Sequence, residues 1–305
     1  LAAMFLPRFL SMGIDPVRAV WDSVFMAISV FNNAGFVILP EGLSPHVTDW
    51  WMLIPIILGT TVGAIGFPVI MDVAKNLRTP RRWRLHTKLT LSTYLILAFV
   101  GALALALTEW NNPATLGAID TPSKILNAML AGVNSRSSGL SALDVGAMRS
   151  QTHFVQDILM MIGGGSASTA GGVKVTTFAV LVLAVIAEAR GDRDIETFGR
   201  RIPTSAVRLA VAVSLLGLAL VAVSVVLLLS MTNYSLDIIL FETASAFATV
   251  GLSTGITPVL PVGAKYVLIF LMFAGRTGSM TVAAALALRE RSRVIRMPEE
   301  RPIIG

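Results

Sequence analysis

The chain has 305 residues, of which 54% are hydrophobic and only 14% are charged, and its mean hydropathy is +0.75. This composition indicates a polytopic membrane protein, because several apolar stretches exceed the roughly 20 residues needed to cross a bilayer. The sequence has no cysteine, which excludes disulfides and thiolate metal sites, and its three histidines lie far apart. A metalloenzyme is therefore not expected. The first six residues are apolar without a basic start or a cleavage site, so they resemble the end of a preceding span and not a signal peptide.

The clearest membrane spans follow from hydropathy alone. They are predicted at about 50–74, 89–109, 206–230 and 264–288. A fifth apolar stretch, about 152–189, is too long for one crossing at about 1.5 Å per residue. Because the middle of this stretch is polar and rich in glycine, we predict a helix that is broken inside the membrane.

Basic residues are concentrated in three clusters that flank the spans. Together the clusters contain 16 of the 24 lysines and arginines. The positive-inside rule places all three in the cytoplasm, which requires an even number of crossings between successive clusters. Nucleic-acid binding is the alternative explanation, but the flanking spans favour membrane topology, and no nucleic-acid partner is predicted. The clusters consist of Lys75, Arg78, Arg81, Arg82, Arg84 and Lys88; Arg190, Arg193, Arg200, Arg201 and Arg208; and Arg289, Arg291, Arg293, Arg296 and Arg301.

A short apolar helix that runs into a glycine turn is predicted three times. We call residues 31–36, 133–141 and 247–253 the first, second and third glycine turns. Glycine permits the positive φ that a helix cannot hold. A helix that stops halfway through a membrane leaves its last carbonyls unpaired, and its dipole places partial negative charge where a cation could lose its water. The recurrence therefore favours an ion pore.

Each of these helices is predicted to begin at a capping residue. The predicted caps are Asp15, Thr121 and Ser235, and proline takes the first helical position in the first two. From cap to turn glycine is 20, 18 and 16 residues (35 − 15, 139 − 121 and 251 − 235). Such segments are too short to span the bilayer, so we predict that they are re-entrant and face an internal pathway. The turn glycines recur after 104 and 112 residues, as in an internal repeat.

The turns, together with the sequence Gly-Gly-Gly-Ser-Ala-Ser-Thr-Ala-Gly-Gly-Val-Lys at 163–174, resemble the Trk/Ktr/HKT superfamily of potassium transporters, nearest the bacterial Trk and Ktr membrane subunits. The resemblance implies an all-α polytopic membrane protein with repeated span–re-entrant pore helix–span units around a central ion pore. Family members carry four such units. On this basis residues 1–76 are the second half of repeat two, 77–190 are repeat three with the broken, gate-bearing last helix, and 191–305 are repeat four with a basic cytoplasmic tail. Because the first repeat has no counterpart, we expect the chain to be a fragment.

The resemblance also implies that the three turns form a selectivity filter, in which backbone oxygens replace the hydration shell of K⁺. Relatives often read Thr-Arg-Thr-Ala-Gly-Phe in the second turn, where this chain has Ser-Arg-Ser-Ser-Gly-Leu at 135–140. This departure leaves Na⁺ open as an alternative ion. The implied filter residues are Asn33, Ala34, Gly35, Ser137, Ser138, Gly139, Thr249, Val250 and Gly251.

Residues 163–174, which we call the glycine-rich loop, correspond to an intramembrane gate beneath the filter of the family. Five glycines within ten residues would fray a helix, since each costs about 1 kcal/mol relative to alanine. A phosphate-binding loop is disfavoured because no strand precedes it, while close helix packing by small residues stays open. The implied gate residues are Gly163, Gly164, Gly165, Ser166, Ser168, Thr169, Gly171, Gly172, Lys174 and Arg276.

Two arginines stand out in the apolar segments. Arg276 lies inside the last predicted span, where a charge costs a few kcal/mol and requires water or a partner. In the family an arginine of this span lies just below the filter as a barrier to the passing ion; the alternative is an arginine that extends to the membrane interface. Arg136 is expected to brace the filter by pairing with a carboxylate such as Asp144 or Glu242. Glu242 and Asp237 are also candidates for attracting cations.

The predicted function is uptake of K⁺ across the cell membrane, without enzymatic activity and without a cofactor in this chain. The sequence has no nucleotide-binding motif, and the resemblance implies a cytoplasmic nucleotide-binding regulatory subunit, a homodimer and contact with membrane lipid. Two alternatives stay open. A secondary transporter of a small solute would use buried carboxylates or histidines, which the spans almost lack, and an inactive homologue would lack the first repeat.

Overall fold

The computed structural model describes residues 1–278 and consists mostly of α-helices, as predicted. A π-helical turn, Ala274–Gly278, follows the last helix. The predicted span 264–288 begins as this last helix, but its end and the third basic cluster lie outside the described residues. The helices are α1 (Ala2–Ser11), α2 (Pro16–Phe31), α3 (Trp50–Ile65), α4 (Phe67–Lys75), α5 (Leu85–Glu109), α6 (Thr121–Asn134), α7 (Ser150–Met161), α8 (Val175–Arg190), α9 (Thr204–Met231), α10 (Leu236–Phe247) and α11 (Val262–Phe273).

Two helices in the described part of the chain, α5 and α9, are long and apolar enough to cross a membrane. They correspond to the predicted spans 89–109 and 206–230 and extend them by a few residues at their ends. The pair α3 and α4 would form a third span if the two helices cross together. The predicted break within 152–189 is present, because α7 and α8 are separated by the glycine-rich loop.

The predicted span 50–74 is not one helix. Helices α3 and α4 meet at Gly66 with a bend of 94°. Gly66 has φ +94°, a conformation that is strained for residues with a side chain. Pro68 follows in the first turn of α4, where its missing N–H group is tolerated. Glycine and proline together therefore end one helix and start the next at a steep angle.

Three helices that precede the glycine turns, α2, α6 and α10, are short. They contain 16, 14 and 12 residues. At the rise of an α-helix these lengths correspond to about 24, 21 and 18 Å, less than the roughly 30 Å of a hydrocarbon core. The three are half-helices that cannot cross a membrane alone.

The helix caps differ in part from the prediction. Asp15 accepts hydrogen bonds from two N–H groups of the first turn of α2, as expected for a cap. For α6 the cap is Asp120 and not Thr121, so the proline takes the second helical position. Ser235 precedes α10 but makes no capping hydrogen bond to the backbone. Its hydroxyl donates instead to the carboxylate of Asp237, because that acceptor lies only two residues ahead.

The buried core connects the half-helices in a row. Leu126 and Leu130 of α6 pack in the same cluster as Met26 of α2. Ala128, on another side of α6, packs in the cluster that contains Phe241 of α10. Because α6 shares one cluster with α2 and another with α10, the ends of the three half-helices are held close together.

The second basic cluster contains a β-hairpin that the sequence analysis did not predict. Strands β1 (Ile195–Thr197) and β2 (Arg200–Ile202) pair antiparallel, with Glu196 opposite Arg201. The two residues between the strands, Phe198 and Gly199, both have positive φ, at +49° and +69°. Positive φ at both central residues is the geometry of a two-residue type I′ hairpin turn.

Candidate ion-conducting site

The first and third glycine turns have the same backbone conformation. Asn33 and Gly35 have φ of +54° and +76°, and Thr249 and Gly251 have φ of +51° and +98°. In both turns the N–H group of the residue between them donates to the carbonyl five residues earlier, at 2.9 Å. The sequence repeat therefore has a counterpart in the backbone of these two turns.

The second turn differs from the other two. Its positive φ values fall on adjacent residues, Ser138 at +78° and Gly139 at +59°. Helix α6 ends five residues before its turn glycine, whereas α2 and α10 end four residues before theirs. Asn134 spans the extra residue, since its side-chain amide donates to the carbonyl of Leu140 at 2.6 Å.

The three turns lie against one another. A Cβ atom added to Gly35 would lie 2.0 Å from the carbonyl oxygen of Ser138, and one added to Gly139 would lie 2.3 Å from that of Val250. A Cβ atom at Gly251 would meet no atom of residues 1–278 within 4 Å. The structure therefore brings the nine predicted filter residues together in three adjacent turns, with the second turn in the middle.

A cavity of about 580 Å³ borders the first and third turns. Ala34 and Phe36 line it from the first turn, and residues 249–253 line it from the third. Leu268 and Met272 of α11 form part of its wall. Ser137 and Ser138 of the second turn are instead fully buried.

The glycine-rich loop is closed at its ends. Ile162 and Val173 form an isolated parallel β-bridge. The N–H of Gly163 donates to the carbonyl of Val173 at 2.8 Å, and the carbonyl of Gly164 accepts from the first N–H of α8 at 3.0 Å. The loop therefore leaves and re-enters the broken helix at nearly the same place.

One side of the loop rests on the bend between α3 and α4. The N–H of Gly165 donates to the carbonyl of Ala64 at 2.8 Å, and a Cβ atom at Gly66 would lie 2.7 Å from the carbonyl of Ser166. The sequence analysis overlooked this role of the bend. The signal was available, because glycine at positions 63 and 66 with proline at 68 is unusual inside a straight span.

Thr169 connects the loop to three other segments. Its hydroxyl accepts from the side-chain amide of Asn33 at 2.5 Å and lies 3.1 Å from the carbonyl of Gly63. The guanidinium of Arg276 donates to the carbonyl of Thr169. One residue of the loop thus contacts the first glycine turn, the helix α3 and the π-helical turn after α11.

The end of the loop lies beneath the third glycine turn. A Cβ atom at Gly171 would lie 2.2 Å from the hydroxyl oxygen of Thr249 and 2.7 Å from the carbonyl of Ala248. Gly172 has φ +69° and also packs against Ala248, at 3.2 Å from its methyl group by the same construction. Only residues without a side chain fit at these two positions.

Polar side chains of the loop are satisfied mainly within the loop and α8. The ammonium group of Lys174 donates to the carbonyl of Ala170 at 2.6 Å. The hydroxyl of Ser168 accepts from the N–H of Ala170 at 3.3 Å, and Ser166 lies 3.0 Å from the hydroxyl of Thr176. The ten predicted gate residues therefore occupy one contiguous region below the turns.

The expected pairing of Arg136 with a carboxylate is wrong. Its guanidinium lies 3.8 Å above the ring centroid of Tyr94. Asp144 caps its own short turn by accepting from a backbone N–H at 2.9 Å. Glu242 is occupied by donors of the segment after the third turn, because its helix faces that segment. The donors to Glu242 are the hydroxyls of Ser253, Thr254 and Thr257 and the N–H of Thr254, each at 2.8–2.9 Å.

The expectation that the spans almost lack buried carboxylates or histidines is also wrong. Glu109, His153 and Asp157 are buried within the predicted spans 89–109 and 152–189, and Asp22 and Glu242 are buried in the half-helices α2 and α10. Glu109 receives hydrogen bonds from three side chains and one backbone N–H, so its burial is compensated. The Oδ1 atom of Asp157 has no hydrogen-bond partner within residues 1–278. Periodicity did not show these acids, because each lies in a mainly apolar helix or at its end.

Residues 3–295 match the family model described as "TrkH: Cation transport protein". The chain belongs to this family. The predicted class of polytopic membrane protein is thereby confirmed, as is the resemblance to the Trk and Ktr membrane subunits.

Individual relatives of the chain are transporters. It is 40% identical over 286 residues to Ktr system potassium uptake protein B of Bacillus subtilis, which covers 94% of this chain and 64% of the relative. It is 33% identical over 312 residues to potassium/sodium uptake protein NtpJ of Enterococcus hirae, which covers 100% and 67%. The fold is similar to that of the potassium transporter TrkH from Vibrio parahaemolyticus, with a TM-score of 0.71, 18% identity and coverage of 95% and 62%. The chain therefore spans less than two thirds of the length of the Bacillus relative and of the solved transporter.

Proposed function

We propose that this chain forms the larger part of a pathway for K⁺ uptake across the cell membrane. The observation that carries the proposal is the backbone contact between three glycine turns, each at the carboxyl end of a half-helix. The carboxyl end of a helix carries partial negative charge, and carbonyl oxygens are suitable ligands for a dehydrated cation. The names of the relatives support K⁺ as the main ion, and the name of NtpJ leaves Na⁺ as the alternative.

The filter in this proposal consists of the backbone around Gly35, Gly139 and Gly251. The division into the second half of repeat two (1–76), repeat three (77–190) and repeat four (191–305) follows from it. Each division contains one half-helix and one glycine turn. The close match between the first and third turns supports a common role for them.

The glycine-rich loop is the gate in this proposal. It contacts the first turn through Thr169 and the third turn through Gly171, so it lies across the path below both turns. Arg276 and Lys174 place positive charge at the loop, which opposes passage of a cation. An opening movement would have to release the hydrogen bonds of Thr169.

The proposal also includes the orientation of the chain in the membrane and its protein partners. The basic clusters face the cytoplasm, where a nucleotide-binding regulatory subunit acts on the pore, and the protein forms a homodimer in the membrane. Support for the orientation comes from the β-hairpin and the end of α8, whose exposed arginines suit a water-facing surface and a negatively charged leaflet.

Uptake of rubidium tests the function directly. Cells that lack their own K⁺ uptake systems and express the complete reading frame containing this chain are expected to accumulate rubidium. Excess K⁺ should suppress this uptake, and Na⁺ at the same concentration should suppress it much less. Vector-only cells provide the baseline, and the amount of protein in the membrane is measured by immunoblot. Absence of uptake despite membrane insertion and co-expression of the regulator would favour the inactive homologue.

The burial of Asp157 favours a second candidate function, which is secondary transport of a small solute coupled to a buried carboxylate. Asp157 is buried and its Oδ1 atom lacks a hydrogen-bond partner among the described residues. If the glycine turns form the pathway, Asp157→Asn should leave rubidium uptake within about twofold of wild type, since asparagine has the same shape as aspartate and Asp157 lies outside the turns and the glycine-rich loop. Uptake is measured at several external pH values. Loss of uptake, or loss of its pH dependence, in this variant would favour the coupled transporter.

A further inference from the structure

The side chain of Arg136 carries a positive charge in a fully buried position. Its side chain is 0% exposed, and none of its three guanidinium nitrogens has a hydrogen-bond partner within residues 1–278. Arginine keeps its charge under all ordinary conditions, so this is a fixed positive charge directly before Ser137 and Ser138 of the second glycine turn. A buried charge of this kind persists only when its surroundings compensate it.

Tyr94 of α5 is the group that faces this charge. The guanidinium carbon lies 3.8 Å from the ring centroid, well within the range of a cation–π contact. The packing of the helices explains this position. A Cβ atom at Gly132 would lie 2.4 Å from the carbonyl of Ala98, so the two helix backbones touch at that level. Helices α5 and α6 run antiparallel. Arg136 lies four residues after Gly132, and Tyr94 lies four residues before Ala98, so the two side chains are at the same level.

Tyr94 also packs in the cluster at the ends of the glycine-rich loop. Tyr94 shares a buried cluster with Ile162 and Val175, the residues at the two ends of that loop. Ala64, whose carbonyl accepts from the N–H of Gly165, belongs to the same cluster. Tyr94 is 0% exposed, and it contacts both Arg136, directly before the second turn, and the cluster at the ends of the loop.

We propose that Arg136 and Tyr94 act as a positioning pair that couples the second glycine turn to the glycine-rich loop. The guanidinium of Arg136 fixes the position of the Tyr94 ring, and the ring packs against the residues at both ends of the loop. The second turn, which follows Arg136, is thereby kept aligned with Gly35 and Gly251. The pair touches no ion and acts through the turn and the loop. The inference rests on the proposed function for its effect on ion preference, but its effect on the loop does not depend on that function.

The test replaces the ring and leaves the loop and the turn unchanged. Tyr94→Leu removes the aromatic face, and Tyr94→Phe keeps it without the hydroxyl group. The matched control is Phe5→Leu, because Phe5 is also 0% exposed and lies in a different cluster, which includes Leu140 of the second turn but no residue of the glycine-rich loop. All variants are made in the complete protein. If Tyr94→Leu does not reach the membrane, Tyr94→Met carries the same test with a more flexible apolar side chain.

Two measurements are made on each variant. The first is the concentration of Na⁺ that halves rubidium uptake, relative to that of K⁺. The second is the rate at which a thiol reagent labels Ser168→Cys, introduced into this cysteine-free chain. Tyr94→Leu should lower the preference for K⁺ over Na⁺ on the order of tenfold, as expected for loss of a desolvated cation–π contact, and should accelerate labelling. Tyr94→Phe and Phe5→Leu should behave like wild type in both.

Each result decides the inference. The inference would be overturned if Tyr94→Leu gave the same results as Phe5→Leu in both measurements. It would also be overturned if Tyr94→Leu changed only the ion preference or only the labelling rate, since the pair is proposed to couple the turn and the loop. If the wild-type protein took up no rubidium, the proposed function would fail, and faster labelling in Tyr94→Leu would still support the contact between ring and loop. In a double variant with Arg136→Met, the two losses should not add, because the residues act as one unit.

Discussion

Gly139→Ala is expected to abolish rubidium uptake while leaving the protein in the membrane. The added Cβ atom would lie 2.3 Å from the carbonyl oxygen of Val250, and the residue would have to hold φ +59°. The left-handed backbone and the overpacking together cost about 2–5 kcal/mol. The second turn can relieve this cost only by moving away from the third turn. Uptake is measured with rubidium tracer and normalised to the amount of protein in the membrane.

Gly13→Ala is the matched control for this substitution. Gly13 has φ +76°, but a Cβ atom there would meet nothing within 4 Å. The control therefore introduces similar backbone strain without a clash and far from the turns, and it should retain uptake. Wild-type uptake in Gly139→Ala, or equal losses in both variants, would contradict the assignment of the second turn to the ion pathway.

The sequence allowed prediction of the features that depend on neighbouring residues. The half-helices, the three turns and the break between α7 and α8 were found because capping residues, apolar runs and glycines act locally. The Asp120 cap was missed by one residue, since aspartate and threonine are both good caps and only the backbone decides between them. The bend at Gly66 was missed because hydropathy is insensitive to the direction of a helix.

Features that depend on distant residues could not be predicted. The partner of Arg136 was expected to be an acid, but the close packing of α5 on α6 places an aromatic ring there instead. Glu242 is an acid of the kind that attracts cations, yet it accepts four hydrogen bonds from residues 253–257. In both cases the residue type predicted the charge of the side chain, but tertiary packing determined which group the side chain contacts.

Deletion of residues 166–170 is expected to raise rubidium flux and to weaken its dependence on the regulatory subunit. The deletion removes Thr169 and with it the hydrogen bond from Asn33, the contact with Gly63 and the hydrogen bond from Arg276. Each such bond contributes about 1 kcal/mol net, so a closed state would lose about 2–3 kcal/mol. That loss raises the open fraction by a factor of roughly 30 to 160 where the closed state dominates.

Two single substitutions separate the gate from a simple packing loop. Thr169→Val keeps the size of the side chain but removes the hydroxyl group that contacts Asn33 and Gly63, and it should give a smaller increase in the same direction. Ser168→Ala is the control within the same loop, because among the described residues the Ser168 hydroxyl accepts only from the N–H of Ala170. Flux is compared with and without the regulator.

A deletion that leaves flux unchanged would mean that the small residues of this loop serve close packing of α3, α8 and the turns. A rise in flux that follows the loss of the Thr169 hydroxyl would instead show that the closed state depends on the contacts by which this loop bridges the bend and the first turn.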